Sequence, residues 1–139
     1  MRLLTGAVLV LGVGLSGCDG GQVTIHGFVI SALQAPGTPS TPCKKLGSTA
    51  TLASRLVSGV SLTFTDQDGT VVGTAITRPG RAVTLGGSCE VQASYSTQVP
   101  KKSAYSVRFD YGGVPQSFGP IPEDQLESTG YRLNLRINP

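Results

Sequence analysis

Few residues in this chain are equipped for chemistry. There are three cysteines, Cys18, Cys43 and Cys89, and one histidine, His26. His26 falls in a strand-like run, and no G-x-S-x-G elbow accompanies it, so a serine-hydrolase triad has no carrier. Glu90, Asp110, Glu123, Asp124 and Glu127 are the candidate paired carboxylates. Glycoside hydrolysis needs two of them facing one cleft, and their positions place them on wet strand faces or in a loop. No C-x-x-C or histidine pair supports a metal site. Asp66-Gln67-Asp68-Gly69 shares the opening letters of a calcium loop. The distal Glu is missing, and a hairpin turn with glycine at positive φ accounts for the same letters. The expectation is therefore no catalytic residue, no metal ligand and no cofactor.

Two readings compete for the N-terminus. Gly12, Gly14 and Gly17 match G-x-G-x-x-G, which binds a dinucleotide only between a strand and a helix with an acidic residue about 20 positions on. Here almost no chain precedes the glycines, and Asp19-Gly20-Gly21 cannot continue a helix. The second reading has every part it needs. Arg2 is a positive n-region, Leu3 to Leu15 is an uncharged apolar run, and small residues follow. That run is too short to span a bilayer, which takes roughly 20 residues. Leu15-Ser16-Gly17-Cys18 resembles the lipobox of bacterial lipoproteins at all four positions. The resemblance implies diacylglyceryl transfer to the Cys18 sulfur and cleavage before it. Residues 1–17 are then a lipoprotein signal peptide, 18–21 a short tether and 22–139 a folded domain. Several acyl chains would hold it to the extracytoplasmic face of the cell membrane, because each buried methylene contributes about 0.8 kcal/mol.

With Cys18 assigned to lipid, Cys43 and Cys89 remain as an even pair in an oxidising compartment, which reads as a disulfide. Closing so long a loop contributes on the order of 4 kcal/mol in the chain-entropy model. The formal charge is only +3, with scattered basic residues. This argues against nucleic acid as a partner.

The elements that must position these groups read as β-strands. Apolar and polar residues alternate through Val60–Thr65, Cys89–Val99, Tyr105–Tyr111 and Tyr131–Ile137, each with one dry and one wet face, as antiparallel strands have. Val23–Ile30 is a less regular run in which Gly27 suggests a bulge, and Val71–Thr77 is a further strand. Cys89 lies on the dry phase of its strand, so the bridge should be at least partly buried. Pro122 to Leu126 reads as one helical turn stopped by Gly130. Ser31 to Ser54, with Pro36, Pro39 and Pro42, reads as an irregular Pro/Ser/Thr-rich loop pinned by Cys43. The fold expected is mainly β: a small antiparallel β-sandwich of about seven strands, one disulfide and at most one short helix.

The best binding candidate is the stretch Gly112 to Ile121. Val114, Phe118 and Ile121 are apolar there without strand periodicity, and either cap the core or line a shallow partner site. From Val60 onward, several features resemble an uncharacterised domain of actinobacterial secreted proteins and lipoproteins. They are the Asp-x-x-Gly turn, Cys89 opening a long strand, Tyr105-Ser106-Val107, and a terminal strand after an acidic loop. The chain is more remotely similar to transthyretin-like and carboxypeptidase-regulatory sandwiches. The resemblance implies a fold and a compartment, but no activity. The expected function is a non-catalytic binding or structural module of the cell envelope, with an envelope protein or glycan as partner. The alternatives are a carrier of a lipid or other apolar ligand and a small envelope hydrolase.

Overall fold

A computed structural model describes residues 21–33 and 40–137. The chain forms a β-sandwich of two four-stranded sheets. In chain order the elements are β1 (Gln22–Ala32), α1 (Cys43–Leu46), α2 (Ser48–Val57), β2 (Ser61–Asp66), β3 (Val71–Ile76), β4 (Arg81–Leu85), β5 (Ser88–Pro100), β6 (Ala104–Tyr111), β7 (Val114–Pro122), α3 (Glu123–Ser128) and β8 (Leu135–Ile137). The first sheet has the order β4-β5-β1-β8, and the second β3-β2-β6-β7.

The alternating segments become strands because each can bury one face. On β1 the dry face carries Ile25 and Val29, on β5 Val91, Ala93, Tyr95 and Val99, on β2 Leu62 and Phe64, and on β6 Tyr105, Val107 and Phe109. These side chains meet between the sheets in one core, where Phe64 and Tyr95 approach with ring centroids 6.0 Å apart. The β2–β3 hairpin turns at Asp66-Gln67-Asp68-Gly69 as its letters require. Gly69 takes φ 81°, and the buried Asp66 carboxylate accepts from the amides of Asp68 (2.9 Å) and Thr70 (3.0 Å). Cys43 and Cys89 are bridged across a separation of 46 positions, and Cys89 is buried. The bridge ties α1 to the start of β5.

Several elements depart from the sequence expectation. There are eight strands and three short helices among the described residues. The stretch read as an irregular loop from Ser31 to Ser54 contains the end of β1, all of α1 and most of α2. Helix α2 forms because Ala50, Ala53 and Val57, spaced three and four apart, cover the sandwich with one dry stripe. Thr77 completes its docking: its hydroxyl donates to the Val57 carbonyl (2.5 Å) and accepts from the Val60 amide (2.8 Å). Gly27 makes no bulge, since the β1–β5 register runs unbroken from Gln22 to Ala32. It lets the backbone of Leu133 pass close by: a Cβ at Gly27 would lie 2.1 Å from the Leu133 oxygen. The terminal strand is shorter than its alternation suggests, and it pairs with β1 in parallel. Helix α3 does follow Pro122, as expected, and the chain leaves it through Gly130 and Tyr131, both at positive φ.

Candidate functional site

The stretch singled out for binding, Gly112 to Ile121, is for the most part the edge strand β7 and not a loop. Its apolar residues lack a period of two because a register shift opposite Tyr105–Val107 breaks the alternation. Phe118 stacks on Phe109, with centroids 5.7 Å apart and planes 6° from parallel, and Ile121 lies opposite Tyr105. Both pack against the core. Val114, at the hairpin tip, is 58% exposed.

On the outer face this strand places Pro115 and Ser117 opposite Asp110 and Arg108. Pro115, Gln116 and Ser117 form one wall of an open cleft of about 250 Å³ on the outer face of the second sheet. Its other lining residues are Ser61 and Thr63 from β2, and Arg108, Phe109 and Asp110 from β6. Strand pairing explains the arrangement. Thr63 lies opposite Arg108, and Arg108 opposite Ser117, which makes one rung across three strands. Asp110 lies opposite Pro115 one step further along, with Ser61 alongside. Arg108 and Asp110 are two apart on one strand and so project from the same face, roughly 7 Å from each other. Among the described residues neither forms an ion pair, and Ser61, Thr63 and Ser117 make no side-chain hydrogen bond. The cleft therefore offers a cation, an anion and three hydroxyls, all uncommitted among the described residues.

The remaining sequence candidates are spread over the molecule. Glu90 pairs with Arg136 at 2.6 Å across the outer face of the first sheet. Glu123 accepts from the Tyr131 hydroxyl and lies 3.8 Å from Lys101. Asp124 and Glu127 are exposed on α3. His26 Nε2 is 3.2 Å from the Gly130 carbonyl, to which it donates. Cys18 falls outside the described residues, and Cys43 and Cys89 are spent on the bridge. The hydrogen bond from Tyr131 to Glu123 pushes the phenol's pKa up to about 12. Burial raises Tyr95 and Tyr105 in the same direction. The space between the sheets, where a carrier would need its cavity, is filled by Ile25, Leu62, Phe64, Tyr105 and Leu126. A second hollow, of about 290 Å³, lies on the outer face of the first sheet beside Phe28, Arg81, Val83 and Gln92.

The sequence signals for the cleft were the wet-face residues Arg108 and Asp110 on a recognisable strand. What was missing was the neighbour order that sets β6 between β2 and β7. The chain matches no protein-family model, no curated protein and no solved structure.

Proposed function

We propose that this chain is an extracytoplasmic lipoprotein, anchored to the cell membrane through Cys18, which acts as a non-catalytic binding module of the envelope. The observation that carries this reading is the bridge between Cys43 and Cys89, with Cys89 buried. Such bridges persist where the surroundings are oxidising. With both of these thiols committed, Cys18 is the cysteine left for acylation within its lipobox.

The fold then gives the anchor an orientation. The described chain starts at Gly21, whose carbonyl accepts from the Lys101 amide (3.0 Å). Three residues span at most about 10 Å, so the end of the sandwich bearing Gly21, Lys101 and Lys102 rests beside the lipid headgroups. Ser31 and Tyr111 bond at 2.8 Å at the opposite end. The rung of Ser61, Asp110 and Pro115 lies toward that far end, so the cleft sits on the side of the domain, clear of the bilayer.

The test is the intact mass of the protein extracted from membranes, with a Cys18→Ala variant alongside. The expected result is a chain that starts at Cys18, carries diacylglycerol and fatty acyl groups, and contains one disulfide. The variant should keep Met1 and lose the lipid mass. A soluble natural protein with Met1 retained and free thiols would overturn the reading.

A further inference from the structure

We infer that the cleft across β2, β6 and β7 binds a neutral saccharide chain, and that Arg108 and Asp110 together read its hydroxyl groups. This deepens the reading of the protein as an envelope binding module and rests on it. The argument begins with charge. Arg108 and Asp110 share one face of β6 without forming an ion pair among the described residues. An anionic ligand would gain the guanidinium but meet the carboxylate, and a cationic one the reverse. A ligand that suffers from neither charge is neutral and has both donors and acceptors. A sugar hydroxyl is such a group: it donates to a carboxylate and accepts from a guanidinium. Ser61, Thr63 and Ser117 add three more groups that both donate and accept.

The other ligand classes fit less well. An apolar ligand finds too little dry surface among these residues. A peptide in extended form binds by adding to a sheet edge through its main chain. The cleft lies on a sheet face, where the backbone groups of β2 and β6 are spent on their own ladders. The nearby edge is β7, which carries Pro115, Pro120 and Pro122, and proline removes the donors that strand addition needs. A volume of about 250 Å³, open to solvent, admits part of a longer chain that continues past both ends. That suits a polymer in which one or a few residues are recognised. Of the apolar lining residues Phe109 is buried and Pro115 exposed, so the Pro115 ring offers the surface on which the carbon face of a sugar ring can rest.

The experiment uses the lipidated mature protein in a detergent without a sugar headgroup. Backbone amide shifts and calorimetry follow its titration with maltotriose, mannotriose and the β-1,4-linked trisaccharide of N-acetylglucosamine. Trigalacturonic acid and an uncharged hexapeptide serve as contrasts. The expected result is saturable binding of at least one neutral trisaccharide, with shifts confined to Ser61, Thr63, Arg108, Asp110 and Ser117. Arg108→Gln and Asp110→Asn should each weaken it roughly tenfold or more, since a charge-assisted bond is lost in each. Arg81→Gln, on the opposite sheet, should leave it unchanged. The inference is overturned if no neutral trisaccharide shifts these residues up to about 10 mM, which is weaker than the millimolar limit of useful affinity. It is also overturned if the acidic sugar or the peptide binds there in preference. Failure here with a lipidated mature chain would remove the saccharide and leave the anchored module standing. A non-lipidated natural protein would remove the anchor whatever the sugars do.

Discussion

The two ends of the sandwich are closed by different chemistry. At the end distal to Gly21, a covalent bridge from Cys43 to Cys89 ties the helical segment to β5, and Ser31 bonds Tyr111 across the sheets. At the Gly21 end no such bridge exists among the described residues. A set of polar contacts closes it instead. Tyr131 reaches back along α3 to Glu123, Lys101 sits by Glu123, Lys102 lies 3.8 Å from Asp66, and His26 holds the Gly130 carbonyl. The first closure acts mainly by restricting the unfolded chain, so it is indifferent to protonation. The second depends on the charge state of its members and on a close backbone passage at Gly27. One end is conditional on charge state, and the bridge at the other on redox state.

The contrast can be broken from either side. The largest effect should come from removing the bridge. Cys43→Ser combined with Cys89→Ser should cost on the order of 4 kcal/mol of stability, read as a lower denaturant midpoint. An unchanged midpoint would mean that the distal end is held by packing alone. Next comes Gly27→Ala. The added methyl would meet the Leu133 backbone at 2.1 Å, and backbone cannot swing aside as a flexible side chain does. A loss of about 3 kcal/mol is expected, at the upper end of ordinary overpacking costs. Amide exchange should localise it to β8 and the Tyr131–Leu133 segment, while the protection of β5 near Cys89 should hold. Uniform loss of protection would show that the two ends do not open separately.

The smallest effect concerns pH and sharpens the charge-dependent side. The phenol of Tyr131 has a pKa raised from 10.0 to about 12, chiefly through its bond to Glu123. A folded-state value above the unfolded one means the folded form holds the proton more tightly. That contribution is complete below about pH 10 and is lost as pH rises to about 12. Tyr95 and Tyr105, raised mainly by burial, act in the same direction. The tyrosinate absorbance of these three phenols should therefore rise late and together with unfolding. Tyr131→Phe should flatten the decline of stability above pH 10. An early, ordinary titration of Tyr131 in the folded protein would count against its hydrogen bond to Glu123.

Much of the framework was legible because it rests on local patterns. The strands around Leu62–Phe64, Val91–Tyr95 and Tyr105–Phe109 alternate cleanly, since each must dry one face and wet the other. The turn at Asp66–Gly69 and the stop at Gly130 are written in residues that tolerate positive φ. Where the signal failed, a specific cause can be named. In α2 the Ala50-Ala53-Val57 stripe is helical, but small residues among Ser and Thr make it faint beside the prolines upstream. Strand β4 is exposed along most of its length, so no burial imposes alternation. In β7 the register shift and three prolines hide a strand whose pairing is supplied by β6.

By itself the sequence determined that the chain holds a mainly β domain with a bridged, partly buried cysteine pair, because period and cysteine count are local or compositional properties. It also determined which residues of β2 and β6 stay wet. Only the tertiary structure decided that Thr63, Arg108 and Ser117 stand in one row, that β8 joins β1 in parallel, and that Gly27 exists to admit Leu133. Those facts depend on which strands become neighbours. Neighbour order follows from the packing of both sheets around a shared core, and no single segment carries it.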